Sequence, residues 1–136
     1  MANFLPAYKL TVASEGLWSN DEGDSGGETV LGLTRNTDPD WAGWHIVDMQ
    51  KGKDNYPNNL NQVHDTLETL AIPYYKNKFW NKIRGDEILV QEEANKIFDM
   101  YVNKGTMGIT LAQRALGIAE SGHMDNITLN TLNNQV

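Results

Sequence analysis

Glu15-Gly-Leu-Trp-Ser-Asn-Asp-Glu-Gly-Asp-Ser-Gly-Gly-Glu-Thr-Val-Leu-Gly-Leu-Thr34 is the stretch around which the rest of the chain is arranged. It leaves an apolar segment of helical period and crosses ten residues rich in Asp, Glu, Ser and Gly. It closes in the β-like run from Thr29 to Thr34. The pattern predicts a helix, a turn, then a strand or hairpin. A carboxylate in the last turn of a helix sits beside the negative end of the helix dipole, which disfavours its ionised form. Glu15, followed at once by Gly16, is therefore expected to hold its proton to higher pH than a free glutamate. A carboxylic acid still protonated near neutrality suits general-acid attack on a glycosidic oxygen, with a second group across a cleft. The acidic turn offers Asp21, Asp24 and Glu28 for that second place, and Thr29 offers a hydroxyl. The spacing of Asp21, Glu22, Asp24 and Glu28 does not follow the regular ligand pattern of an EF-hand calcium loop.

Outward from this stretch the chain reads as mainly α. Pro6 suits a first helical turn, and Tyr8, Val12 and Glu15 fall near one face of a helix over about 5–15. Asp38-Pro39 reads as a cap and a first-turn proline opening a helix to about Lys51, with Trp41, Trp44, Val47 and Asp48 along it. Gly52 to Asn59 reads as a loop, and Leu60, Val63, Leu67 and Leu70 mark the next helix. Pro73 is expected to restart the chain into the aromatic run Tyr74, Tyr75, Phe79 and Trp80, whose density points to core. Arg84-Gly85-Asp86 is a turn. A strong helix follows over about 90–104, with Ala94, Ile97, Phe98, Tyr101 and Val102 on its buried face and Gly105 as cap. Leu111, Ala115 and Leu116 give another, ended by Gly117, and a last short helix begins at Asp125.

The quoted stretch resembles the signature of glycoside hydrolase family 108, roughly E-G-G-Y-x-N-D-x-x-D-x-G-G-x-T-x-x-G-I-T. Further pieces agree in order: Phe79-Trp80, Ile83 to Ile88, Phe98 to Gly105 and Leu111 to Gly117. The family comprises bacterial and phage N-acetylmuramidases, some first described as secretion activators. The resemblance implies a lysozyme-like fold, with about six helices around a buried central one and a small β-hairpin beside a catalytic cleft. It implies Glu15 as general acid, with Asp24 and Thr29 as helpers for charge stabilisation or water positioning. Trp18, Thr34, Trp80 and Asn103 are then the candidate substrate contacts. The sequence departs from the family at Leu17 and Trp18, where Gly and Tyr are usual. Thr29 also follows Asp24 more closely than in the wider phage-type lysozymes.

The implied activity is hydrolysis of the β-1,4 bond between N-acetylmuramic acid and N-acetylglucosamine, with peptidoglycan glycan strands as partner and no metal or organic cofactor. A second class, a non-catalytic lysozyme-like factor that binds wall or serves secretion or assembly, fits the same pattern. Residues 106–136 resemble a degenerate or truncated peptidoglycan-binding module within a single domain spanning 1–136.

Composition narrows the partners. With 136 residues the chain can bury a real core, and without cysteine it has neither disulfides nor thiolate metal ligands. A net charge of -7 opposes nucleic-acid binding, which depends on Lys and Arg meeting phosphates. It also removes long-range attraction to anionic wall polymers. His45, His64 and His123 show no zinc spacing. The N-terminus lacks the basic and apolar regions of a signal peptide, and no stretch is apolar enough to span a membrane. The expectation is a monomer made in the cytoplasm and delivered to the cell wall by other means.

Overall fold

The computed structural model describes residues 1–13, 16–20 and 27–135. Among them are six α-helices, α1 (Phe4–Ala13), α2 (Gly43–Lys51), α3 (His64–Tyr75), α4 (Gln91–Lys104), α5 (Thr106–Leu116) and α6 (Asn126–Asn133). Three two-residue strands, β1 (Trp18–Ser19), β2 (Thr29–Val30) and β3 (Leu33–Thr34), form an antiparallel sheet in sequence order. The architecture is the mainly α one expected. The chain forms two compact units, one of Met1–Thr11 with Tyr75–Val136, the other of Val12–Tyr74.

The first unit is built on aromatic packing. Phe4 meets Trp80 and Phe98 at ring-centroid distances of 5.7 and 5.9 Å, and Tyr8 meets Tyr75 at 5.4 Å. Such tilted and edge-on pairs contribute about 0.5–1.5 kcal/mol each beyond the area they bury. The face of α4 that carries Ala94, Ile97 and Phe98 is buried, as its 3.6-residue period predicts. Tyr101 and Val102 are half-buried at its edge. Gly105, at φ 61°, ends α4 and its N–H donates to Tyr101 O at 2.8 Å.

α5 presents a different face from the one read off its leucines: Gly108, Ile109 and Gln113 are buried, while Ala115 is exposed. Gly108 is required there because a Cβ would stand 2.4 Å from Met100 O, so α4 and α5 touch backbone to backbone. Beyond the Gly117 cap the chain folds over the buried amide of Gln113. Its Nε2 shares two N–H groups among Ser121 Oγ, His123 O and Thr128 Oγ1, which lie at 3.0, 2.9 and 2.9 Å. Its Oε1 accepts from Gly122 N at 3.0 Å. Asp125 then caps α6 by accepting from Thr128 N at 2.8 Å.

In the second unit two sequence expectations are corrected. Asp38-Pro39 does not open α2, which starts at Gly43. The Asp38 side chain is buried and accepts from Thr34 N at 3.1 Å, while its carbonyl accepts from Trp44 Nε1 at 2.7 Å. The residue thus ties the end of β3 to α2 rather than capping a helix. Nor does Pro73 restart the chain. It lies inside α3, which runs unbroken to Tyr75 and continues as a π-helical turn, Lys76–Trp80, closed by Asn81 N donating to Lys76 O at 2.9 Å. A proline costs a helix one hydrogen bond, and α3 carries that loss without ending.

Candidate active site

The small sheet positions most of the predicted site residues that the structure describes. β2 and β3 join through Leu31-Gly32, both at positive φ (50° and 79°), the primed two-residue turn whose twist suits a hairpin. Leucine rarely adopts that conformation; here its side chain is buried, which offsets the backbone cost. Leu31 N also donates to Leu17 O at 2.8 Å, bringing β1 alongside.

Register then decides which side chains share a face. Ser19 stands opposite Thr29, and Thr29 opposite Thr34; in the adjoining row Trp18 stands opposite Val30, and Val30 opposite Leu33. Opposed residues project to the same face and successive rows to opposite faces. One face is therefore a row of three half-buried hydroxyls, Ser19, Thr29 and Thr34. The other carries Trp18 with the fully buried Val30 and Leu33. Thr29 and Thr34, predicted separately, come together. Trp18 is turned away from them, and Ser19 joins the row without having been singled out.

The Trp18 face is held by one carboxylate. Glu28, 8% exposed, accepts from Trp18 Nε1 at 2.9 Å, from Arg35 Nε and Nη2 at 3.2 and 3.0 Å, and from the Tyr56 hydroxyl. Lys51 Nζ lies 3.0 Å from the same carboxylate. Asp48 Oδ1 closes the ring of charges at 2.7 Å from Arg35 Nη2 and 3.5 Å from Lys51 Nζ. The Arg35 guanidinium also lies over the Trp44 ring, 4.5 Å from its centroid. Trp18 meets Tyr56 edge to face at 6.1 Å.

Burial by itself pushes the Glu28 carboxyl up, but the hydrogen bonds from Tyr56, Trp18, Lys51 and Arg35 outweigh it and lower the pKa to about 2. Tyr56 is pushed the other way by burial and by its bond to Glu28, so its phenol stays neutral. Glu28, which the sequence offered for the second place, is an anchor whose donors keep it ionised well below neutral pH. Its role was hidden because its partners lie up to 28 residues away along the chain.

Other predicted residues are placed separately. Trp80 is fully buried, its ring packed on Phe4 and Phe98 and its N–H donating to Asp86 Oδ1 at 2.9 Å. A ring with no exposed surface belongs to the core. Asn103 is exposed near the end of α4, and its Nδ2 donates back to Asp99 O at 2.8 Å. Glu15 and Asp24 lie outside the described residues, as do Asp21 and Glu22. Among the described residues no three His, Cys, Asp or Glu side chains come together as a cation site.

Residues 8–105 match the model of the family described as Glycosyl hydrolase 108. The chain belongs to glycosyl hydrolase family 108. The matched segment of this glycosyl hydrolase 108 domain takes in the sheet, the Glu28 network and α1 through α4. Among solved structures, Brucella abortus SagA superposes on the domain with a TM-score of 0.63 over 96% of this chain and 68% of that one, at 20% identity. The two proteins share a fold, the mainly α, lysozyme-like one. No curated protein matches the chain. Within the described residues no helix is long and apolar enough to cross a membrane.

Proposed function

We propose that this glycosyl hydrolase 108 domain is an N-acetylmuramidase that cleaves the β-1,4 bond between N-acetylmuramic acid and N-acetylglucosamine in peptidoglycan. The observation that carries the reading is the family match over residues 8–105, which spans the whole Glu15 to Thr34 signature. Glu15 follows α1 by two residues and is the general acid that protonates the leaving oxygen. Asp24 or Thr29 steadies the developing positive charge or a water. Thr29 and Thr34 offer hydroxyls from one row of the sheet, suited to hydrogen-bond the hydroxyl and acetamido groups of a sugar. The exposed Asn103 amide is proposed as a further contact, while Trp18, on the opposite face and bonded to Glu28, serves the sheet rather than the sugar.

Muropeptide release from purified peptidoglycan tests the proposal, with wild type beside Glu15→Gln, which keeps shape but cannot donate a proton. New reducing muramic-acid ends from the wild type and none from the variant support it. Binding of wall glycans without cleavage by either protein favours the non-catalytic reading instead.

A further inference from the structure

We propose that Glu28 is the positioning residue of this site: its buried carboxylate fixes the inner face of the sheet, and so sets where the opposite face holds the Thr29 and Thr34 hydroxyls. The inference rests on the muramidase reading above and adds to it a residue that never touches substrate.

Three observations carry it. The sheet is too small to fix itself, because its strands are two residues long and an isolated hairpin of that size is marginal in water. Its geometry must come from what it is tied to: Asp38 ties the end of β3 to α2, and Glu28 ties β1 and the end of β3 to α2 and the turn after it. From the sheet come the Trp18 indole of β1 and, just past β3, the Arg35 guanidinium; from outside come Lys51 at the end of α2 and Tyr56 in the following turn. The backbone is tied at the same place, since Arg35 N donates to Glu28 O at 2.8 Å and extends the β2–β3 ladder by one pair.

The charges also balance locally. Glu28 and Asp48 face Arg35 and Lys51, so the cluster is neutral and its anion is needed to hold two cations and two neutral donors in one place. Thr29 is the next residue after Glu28, on the other face. A sideways shift of Glu28 moves the Thr29 hydroxyl directly, and displacements of about 1 Å suffice to cost a reaction roughly 10²-fold.

The test compares Glu28→Gln and Tyr56→Phe with wild type, below the unfolding temperature of each. Glutamine keeps the shape but removes the charge and puts an N–H where donors already point. Phenylalanine removes one donor and leaves the carboxylate with the others. Each protein is assayed for kcat and KM on soluble peptidoglycan fragments, and the Trp18 indole ¹H–¹⁵N resonance is followed.

The expected result is graded. Glu28→Gln lowers kcat at least tenfold with KM within about threefold, Tyr56→Phe lowers it less, and the Trp18 resonance moves in the same order. A purely structural role would lower unfolding temperatures and leave kcat of the folded protein unchanged; that outcome, with an active wild type, overturns the positioning role alone. If Glu28→Gln does not fold, Tyr56→Phe decides: a moved Trp18 resonance with unchanged kcat overturns the proposal, and a moved resonance with lowered kcat supports it. A wild type that releases nothing removes the muramidase reading, and the positioning role with it.

Discussion

The indole N–H of Trp18 donates to Glu28 Oε2 at 2.9 Å, joining two residues ten apart on either side of the acidic turn. That bond puts Trp18 on the inner face of the sheet and leaves Thr29, the next residue after Glu28, on the outer one. The signature stretch is thus divided by register into a face that anchors and a face that presents hydroxyls.

Acid should act on this anchor. The Glu28 carboxyl lies at about 2 in the folded protein against 4.5 ordinarily. A depressed folded value means the stabilisation is complete above about pH 4.5 and is lost as pH falls toward 2, because the unfolded chain takes up the proton first. The expected contribution is about 3 kcal/mol at neutral pH. Urea unfolding of wild type and Glu28→Gln at pH 7 and pH 3 checks it: the gap between them should be largest at pH 7 and shrink at pH 3.

Thr29→Val keeps a β-branched side chain of nearly the same shape and removes the hydroxyl. Its row of the sheet is only half-buried and both residues favour strands, so stability should change by less than about 1 kcal/mol. Activity on peptidoglycan should fall roughly 10²-fold if the hydroxyl holds a water or charge in the reaction. Ser19→Ala, in the same row, gives the comparison for a hydroxyl outside the signature's own threonine positions.

The α4–α5 contact should be intolerant of side chains. Gly108→Ala places its Cβ against the Met100 carbonyl at 2.4 Å, where only backbone can move away. Overpacking of this kind costs about 1–3 kcal/mol. Thermal unfolding should show the loss, whereas an alanine at exposed Gly52, where a Cβ meets nothing, should leave stability nearly unchanged.

Gln113 gives a local reading of the same kind. Hydrogen bonds made by one buried amide hold residues 121–128, so Gln113→Leu leaves the buried Gly122 N–H without its acceptor, whereas the His123 carbonyl keeps Asp125 N and Ser121 Oγ. Each unpaired buried group costs about 1–3 kcal/mol. Hydrogen exchange at the Gly122 amide should quicken well before exchange at Ile97 or Phe98 in α4.

How much of this could be read from sequence depended on how local the cause was. α4 and α5 were legible because apolar spacing and the capping glycines 105 and 117 are short-range signals, and both glycines adopt positive φ. The hairpin at Thr29 to Thr34 was legible too, though its turn uses Leu31 rather than the usual Asn or Gly, and β1 was not foreseen. Asp38-Pro39 misled because the local pattern of a cap was overridden by the buried partners of the Asp38 side chain. In the candidate site, Thr29 and Thr34 were found from the signature, but their shared face follows from register, which a period of two fixes only after pairing is known. The Glu28 hub was invisible for a plainer reason: it exists only when residues 18, 28, 35, 51 and 56 are brought together by folding.

The central claim is that the Glu15 to Thr34 signature serves glycan cleavage with Glu15 as the acid. Its most direct test is reducing-end release from purified peptidoglycan by wild type and Glu15→Gln, with both proteins shown to be folded. Release of muramic-acid reducing ends by the wild type, reduced at least 10³-fold in the variant, is the predicted result. Equal release by the two proteins would contradict the role of Glu15, and no release by the wild type on several wall types across pH 4 to 8 would contradict the activity itself.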